Sequence, residues 1–169
     1  MPSLPSPAPR STVRAIALLS GGLDSMLAVR VMLEQGIEVE AVNFQTIFTC
    51  CRETAAQAAH ELGVPLTIIS QRDDYLELIR KPRYGYGKGA NPCVDCRIYM
   101  FELARQLADE RDAELVVSGE VLGQRPMSQK RRDLGIIAHQ SGLEDRLLRP
   151  LSARLLPPTR AERAGMVEN

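Results

Sequence analysis

The chain has 169 residues, of which 44% are hydrophobic and 25% charged, a composition typical of one folded domain and not of a disordered chain. Its 21 basic residues balance its 21 acidic residues, which argues against a polybasic protein that coats DNA or binds a membrane surface. Any contact with nucleic acid must therefore come from local basic patches.

The N-terminal residues 1–11 are rich in proline and serine, and we expect them to form a flexible tail. This segment lacks the apolar stretch of a secretory signal, and no apolar run in the chain approaches the roughly 20 residues of a membrane span. We therefore expect a cytoplasmic protein that makes no contact with a membrane. In that compartment, four cysteines favour metal, catalytic or redox chemistry over disulfide bonds.

From residue 13 onward, short apolar runs alternate with segments of helical periodicity. The strands are predicted at 13–19, 39–44, 65–70, 115–118 and 147–151, and the helices at 25–35, 54–62, 73–80, 94–109 and 128–139. This alternation predicts an α/β fold with a mainly parallel, doubly wound, five-stranded sheet. We expect the domain to cover residues 12–152, and residues 153–169, which contain Pro157-Pro158 and no periodic pattern, to form a linker-like tail.

The first predicted strand and the first predicted helix are joined by the phosphate loop, Ser20-Gly21-Gly22-Leu23-Asp24-Ser25. Ligands of parallel α/β sheets bind at the carboxyl ends of the strands, where this loop lies. Its two glycines allow close approach of the backbone, and the helix N-terminus favours an anion. Asp24 would repel a bare phosphate, so it indicates either a divalent metal or a helix cap. A plain strand–turn–helix connection is the alternative.

The phosphate loop resembles the SGGxDS signature of the PP-loop ATP pyrophosphatases, whereas the Walker and Rossmann glycine patterns are absent. The resemblance implies an adenine nucleotide alpha hydrolase-like (HUP) fold, ATP and Mg²⁺ as cofactors, and transfer of AMP to a substrate oxygen with release of pyrophosphate. It makes Asp24 a catalytic residue. The nucleotide-binding residues expected from the strand ends and this loop are Ser20, Gly21, Gly22, Asp24, Ser25 and Asn43.

The four cysteines form two pairs, Cys50-Cys51 after the second predicted strand and Cys93-x-x-Cys96 at the start of a helix. Both are expected at the edge of the sheet that carries the phosphate loop. The helix N-terminus and Arg97 predict a lowered pKa for the thiols of the second pair. Three chemistries remain open: a zinc site, a 4Fe–4S cluster with an open iron, or a cysteine persulfide with a resolving cysteine.

Resemblance favours sulfur transfer among these alternatives. Asn91-Pro92-x-x-x-Cys96 resembles the NPxxxC element of bacterial tRNA 2-thiouridine synthetases, which implies that Cys96 is catalytic. Cys93-x-x-Cys96 is similar to the pair that anchors the cluster in iron–sulfur thiolases. Because no cysteine follows Cys96, Cys50 or Cys51 would supply the third ligand of such a cluster, and we expect at least one of them near Cys93.

A further glycine-containing loop, Ser118-Gly119-Glu120-Val121-Leu122-Gly123-Gln124, follows the fourth predicted strand. It resembles the GExLGQ element of the 4-thiouridine synthetase catalytic domain, in which this loop lies over the ATP site. The resemblance implies that Gly119 and Glu120 bind the nucleotide, with Glu120 holding a metal or orienting a ribose.

Two basic segments flank these motifs and are candidates for binding RNA phosphates. One runs from Arg80 to Tyr99 and includes Tyr84 and Tyr86, which can stack on bases. The other follows the Gly119 loop and contains Arg125, Lys130, Arg131 and Arg132. Solvated surface charge is the alternative for each segment.

The sequence thus predicts an ATP-dependent adenylating enzyme of the tRNA sulfurtransferase type. Its expected partners are tRNA and a sulfur donor, either a protein or sulfide, and a homodimer is considered. Two alternatives stay open: an amide-forming ligase that uses the same adenylation without sulfur, and a nucleotide-binding module without catalysis.

Overall fold

A computed structural model describes residues 12–46, 52–71 and 73–168 of the chain. Their centre is a five-stranded parallel sheet of order β3-β2-β1-β4-β5. Its strands are β1 (Arg14–Leu18), β2 (Glu38–Gln45), β3 (Leu66–Ser70), β4 (Leu115–Val117) and β5 (Leu147–Leu148). The sheet confirms the predicted α/β fold, and β1 lies at its middle, so that the connections wind outward in both directions.

Six α-helices accompany the sheet in the described part of the chain. They are α1 (Leu23–Glu34), α2 (Arg52–Leu62), α3 (Asp74–Arg80), α4 (Cys93–Glu110), α5 (Arg131–Gln140) and α6 (Arg160–Arg163). Two 3₁₀ helices cover Lys88–Ala90 and Pro150–Leu155. None of the described helices has the length and apolar character needed to cross a membrane.

Two hydrophobic cores form on the two faces of the sheet because side chains alternate along each strand. Ala15 and Ala17 of β1 pack on one face with residues of α1 and α2, and Ile16 packs on the other face with residues of α4 and α5. All three are about 1% exposed. This burial on both faces explains why residues 15–19 are a continuous apolar run.

Two predicted elements are shorter in the structure. The strand predicted at 147–151 ends at Leu148, because Pro150 starts a 3₁₀ helix and has no N–H for a further ladder bond. The helix predicted at 128–139 begins only at Arg131. A hydrogen bond from Gly123 N to Gln129 O, 2.8 Å long, closes the preceding residues into a loop instead.

The C-terminal segment, for which the sequence predicts a linker, packs against the domain. Thr159 caps α6 through a capping box with Glu162, so both groups satisfy N–H donors of the first turn. Ala161 and Val167 are each 4% exposed and belong to the core on the α1 side of the sheet. Two small apolar residues suffice for this packing, which is why the sequence shows no periodic pattern there.

We expect Thr159→Ala to lower the free energy of unfolding by about 1 kcal/mol, because the N–H of Glu162 loses its acceptor. Thr12→Ala, at an exposed threonine outside the helices and strands, is the control and should change stability little. Urea unfolding of both variants measures the difference. Equal stabilities would contradict the packed C-terminal segment and favour the linker.

Candidate functional site

The phosphate loop follows β1 at the carboxyl edge of the sheet, and its two serines close it into a ring. Ser20 N donates to Ser25 Oγ at 3.3 Å, the two serine hydroxyls lie 3.1 Å apart, and Ser25 Oγ donates to Gly22 O at 2.8 Å. Gly21 has a φ of +85°, which an L side chain rarely adopts. These hydrogen bonds and the glycine conformation together hold the loop in one conformation.

The start of α1 leaves backbone donors at this loop. Gly22 is the N-cap and offers no side chain to the first turn, and the first N–H groups of any α-helix have no partner within the helix. They carry the positive end of the helix dipole, so a phosphate placed on the loop would find donors and a favourable potential. Asp24, partly exposed in the first turn of α1, lies at the same place.

Two neighbouring segments pack closely on the backbone of the phosphate loop, and each of these contacts requires a glycine, Gly21 or Gly119. A Cβ added to Gly21 would lie 2.7 Å from the carbonyl carbon of Thr54 in α2. A Cβ added to Gly119 would lie 2.6 Å from the carbonyl carbon and oxygen of Asp24. Real Cβ contacts are not this short, so the loop after β4 and the start of α2 both pack backbone against backbone on the phosphate loop.

Asn43 supports the loop from the neighbouring strand. Its side chain is 8% exposed, and Nδ2 donates a 2.9 Å hydrogen bond to the carbonyl of Leu19, the residue before Ser20. The structure therefore gives Asn43 a role in positioning the phosphate loop. A direct contact between Asn43 and a nucleotide stays a prediction.

Glu120 is buried beside the phosphate loop, with a side chain that is 2% exposed. Its Oε2 accepts a 2.8 Å hydrogen bond from Arg149 Nε, while Oε1 lies 3.7 Å from Arg97 Nε and makes no hydrogen bond. Such an unpartnered buried carboxylate oxygen is costly unless a ligand or metal completes it. Glu120, for which the sequence predicts contact with a ribose or a metal, thus has one carboxylate oxygen without a hydrogen bond.

Arg149 and Ser152 are partners of this loop that the sequence analysis missed. Arg149 follows β5 and donates to Glu120 and to the carbonyl of Leu134, and Ser152 Oγ donates to Glu120 O and accepts from Leu122 N. The one signal in the sequence was a basic residue in the middle of the apolar strand predicted at 147–151, where a buried charge is unusual.

Cys93 and Cys96 occupy the first turn of α4, and both are free thiols of intermediate exposure. Arg97, the next residue, approaches Glu120, so this turn lies beside the loop that packs on the phosphate loop. Tyr75 of α3, which the sequence analysis missed, is 1% exposed, and its hydroxyl lies 3.2 Å from Cys96 Sγ. Its ring packs on that of Tyr99 at 5.2 Å between centroids.

The expectation of a lowered thiol pKa is wrong for Cys96. Burial raises the pKa of this thiol above its ordinary value, because the thiolate loses hydration. The hydrogen bond from Tyr75 and the charge of Arg97 lower this pKa, whereas Cys93 and Asp95 add to the effect of burial, and the net change is upward. At neutral pH, Cys96 therefore rests predominantly as the thiol.

Cys50 and Cys51 lie outside the described residues, so the predicted convergence of the two cysteine pairs stays a prediction. Within residues 12–46, 52–71 and 73–168, no three His, Cys, Asp or Glu side chains are grouped to hold a metal. Cys93 and Cys96 provide two thiolates, whereas a zinc or an iron–sulfur cluster needs three or four protein ligands. The described donor set alone does not fit either group.

Comparison with known proteins shows the family to which this chain belongs. The thiamine biosynthesis protein (ThiI) family matches residues 11–154. A probable tRNA sulfurtransferase of Methanothermobacter thermautotrophicus is 32% identical over 145 residues, which cover 82% of this chain and 36% of the relative. A tRNA-specific 2-thiouridylase (MnmA) of Pelobacter propionicus is 33% identical over 112 residues, 60% of this chain and 31% of the relative. The chain spans about a third of the length of these relatives.

Solved structures are similar over most of the chain. A 4-thiouridine synthetase, crystallised as an RNA complex with bound ATP, is 28% identical with a TM-score of 0.65 over 82% of this chain and 36% of that chain. A predicted subunit of tRNA methyltransferase from Methanocaldococcus jannaschii is 17% identical with a TM-score of 0.58, over 82% of this chain and 68% of that chain. The second likeness concerns the fold alone.

We expect Gly119→Ala to lower the free energy of unfolding by about 1–3 kcal/mol, because the new methyl overlaps the backbone of Asp24 and forces the two loops apart. Gly135→Ala is the matched control. Gly135 lies inside α5, and a Cβ added there would have no neighbour within 4 Å, so this change should raise stability by about 0.5–1 kcal/mol. Urea unfolding distinguishes the two directions, and a neutral Gly119→Ala would contradict the close packing.

Iodoacetamide alkylates the thiolate form of cysteine, so the alkylation rate rises with pH as the thiol loses its proton. Because the pKa of Cys96 is raised, we expect its rate to rise at a higher pH than the rate of an unperturbed cysteine. Tyr75→Phe should move the profile further up, because it removes a donor that favours the thiolate. The measurement uses chains in which the other three cysteines are serine.

Tyr99→Phe is the control for this experiment, because the Tyr99 hydroxyl donates to Asp74. It should leave the profile nearly unchanged. A Tyr75→Phe profile that moves to lower pH would contradict the role given to the Tyr75 hydroxyl.

Proposed function

The chain belongs to the thiamine biosynthesis protein (ThiI) family, and we propose that it is the catalytic domain of an ATP-dependent tRNA sulfurtransferase. In this proposal it adenylates an oxygen of a tRNA base and replaces that oxygen with sulfur delivered through Cys96. The observation that carries the proposal is that the loop after β4 touches both other parts of the site. Gly119 packs on the backbone of Asp24 in the phosphate loop, and Glu120 lies 3.7 Å from Arg97, the residue after Cys96. A 4-thiouridine synthetase with bound ATP shares this fold.

ATP binding is assigned to the phosphate loop and the loop after β4. The free N–H groups at the start of α1 receive phosphate oxygens, and Ser20 and Ser25 hold the loop in shape for them. Glu120 Oε1, which lacks a hydrogen bond in the protein, accepts from a ribose hydroxyl. Asp24 is the residue that would hold Mg²⁺, an ion that neutralises triphosphate charge when bound.

Adenylation is a substitution at the α-phosphate of ATP. The base oxygen forms a bond to this phosphorus, and the bond to the β-phosphate breaks, so that pyrophosphate leaves. The oxygen, otherwise a poor leaving group, now departs as AMP. The donors of the phosphate loop stabilise the negative charge that develops on the phosphate oxygens during this step.

Sulfur transfer uses the two thiols of α4 in sequence. The terminal sulfur of a persulfide on Cys96 attacks the base carbon, AMP leaves, and the base is joined to Cys96 through a sulfur–sulfur bond. The thiolate of Cys93 then attacks Cys96 Sγ, releasing the thiolated base and leaving a Cys93–Cys96 disulfide. A dithiol reductant must reopen this disulfide. Residues three apart in a helix face the same side, which favours the exchange.

The remaining parts of the proposal concern supply and location. A persulfide-carrying protein provides the sulfur: the Cys96 thiolate attacks its terminal sulfur, and the donor leaves with its own thiolate. The reaction takes place in the cytoplasm, where tRNA is processed. No step is assigned to zinc or to an iron–sulfur cluster, because Cys93 and Cys96 alone do not fit either.

We expect Ser25→Ala and Cys96→Ser to block different halves of the reaction. Ser25→Ala breaks the ring of hydrogen bonds in the phosphate loop and should reduce pyrophosphate release from ATP by about 100-fold. Cys96→Ser should leave pyrophosphate release intact and reduce thiolated nucleoside to background, since the sulfur carrier is lost. Both products are measured with bulk tRNA, ATP, a persulfide-carrying donor protein and a dithiol reductant.

Each variant is thus the control for the other, and the outcomes separate the rival functions. A Cys96→Ser variant that thiolates tRNA normally contradicts the role of Cys96. Pyrophosphate release by the wild type without any thiolated nucleoside would favour an amide-forming ligase. A wild type that binds ATP but releases no pyrophosphate would be a nucleotide-binding module.

A further inference from the structure

The two basic segments of the sequence meet in the structure. A Cβ added to Gly87 would overlap Met127 Sδ, so the loop that follows α3 packs on the loop that precedes α5. We call residues 80–87 together with residues 125–132 the basic rim. Segments that lie far apart in the chain therefore form one continuous surface, which neither segment reveals alone.

Positive charge dominates the basic rim although the whole chain is neutral. Arg80 of the rim forms an ion pair with Glu77. The other exposed cations of the rim make no ion pair with any described residue; they are Arg83, Arg125, Arg131, Arg132, Lys81 and Lys130. Such cations concentrated on one surface of a neutral protein provide local attraction for a polyanion.

A buried carboxylate fixes the first half of the rim. Asp95 is 7% exposed, and its two oxygens accept hydrogen bonds from the backbone N–H groups of Arg83 at 2.8 Å and Tyr84 at 3.0 Å. Asp95 is therefore committed to holding the backbone of this loop inside the protein. Because Asp95 stands between Cys93 and Cys96, the same contact places the rim beside the two thiols.

Tyr86 presents a fixed aromatic ring at this surface. Its hydroxyl lies 2.6 Å from the carbonyl oxygen of Ile79 and 3.0 Å from that of Arg80, and both oxygens belong to the last turn of α3. The residue is nevertheless 49% exposed, so its ring is held in place while open to solvent. An exposed apolar ring that the protein holds rigid is a platform for stacking by a base that has left its helix.

We propose that the basic rim binds an unpaired stretch of RNA, with Tyr86 stacking on one base and the cations without an ion pair holding the adjacent phosphates. This inference rests on the proposed function, because an RNA held there would bring its bases to the thiols of α4. Double-stranded RNA fits less well, since its bases are stacked on each other and leave no face for Tyr86.

The test measures the affinity of the full chain for bulk tRNA and for a short oligouridine by fluorescence anisotropy. Tyr86→Leu should weaken binding about tenfold, because it removes the stacking face but keeps an apolar side chain. Tyr86→Phe keeps the face and loses only the hydroxyl, so its affinity should stay within about threefold of the wild type. Thermal unfolding checks that both variants are folded.

Charge is tested by a double variant, Arg125→Gln with Lys130→Gln, titrated with salt. Log affinity decreases with log salt concentration, and the magnitude of this negative slope should be smaller by about 0.7 for each phosphate that the variant no longer neutralises. The matched control is Arg14→Gln with Arg111→Gln, two exposed arginines at the opposite edge of the sheet whose replacement should leave the slope unchanged. Because these variants leave Tyr86 unchanged, they test the rim independently if Tyr86→Leu does not fold.

The outcomes separate this inference from the proposed function. Wild-type affinity in Tyr86→Leu and an unchanged slope in the rim variant would overturn the rim as the RNA site, while Cys96-dependent thiolation would still support the enzyme. Equal losses of affinity in Tyr86→Phe and Tyr86→Leu would overturn stacking in favour of a structural role for the hydroxyl. A rim variant that weakens binding of an acidic sulfur donor, but not of RNA, would overturn RNA as the partner of the rim.

Discussion

The site depends on backbone packing against backbone at the carboxyl edge of the sheet. Gly119 touches the main chain of Asp24, and Gly21 touches the main chain of Thr54, with no side chain between them. Backbone atoms cannot change rotamer, so these contacts fix the distance between three chain segments more rigidly than side-chain packing would. The open carboxylate and the free N–H groups derive their relative positions from this constraint, and Arg97 beside Glu120 relates the thiols of α4 to them.

A buried ion pair extends this constraint across the sheet. Glu120 and Arg149 are 2% and 6% exposed at their side chains, and removing one partner of such a pair typically costs about 3–5 kcal/mol because the other charge is left buried. Arg149 follows β5, the edge strand, while Glu120 follows β4. The last strand is thereby tied to the loop that contacts the phosphate loop, and Ser152 adds two further hydrogen bonds.

The sequence was sufficient for features that are local in the chain. The apolar run, the glycine pair and the following helix of the phosphate loop are adjacent residues, so their order already predicts the α/β fold. Tyr75 and Cys96 are 21 residues apart, and Arg149 and Glu120 are 29 apart. Such pairs depend on how helices and strands pack, and a buried tyrosine or arginine carries no local pattern that reveals its partner.

The burial of Cys96 has a consequence for survival of the protein under oxidative stress. Peroxides attack thiolates, and the product passes from sulfenic acid to sulfinic acid, which most proteins cannot reverse. Because burial raises the pKa of Cys96, its sulfur spends most of its time protonated and reacts slowly with such oxidants. The same protonation makes this sulfur a weak nucleophile until it is loaded. In the function that we propose, Cys96 is thus kept chemically unreactive between turnovers.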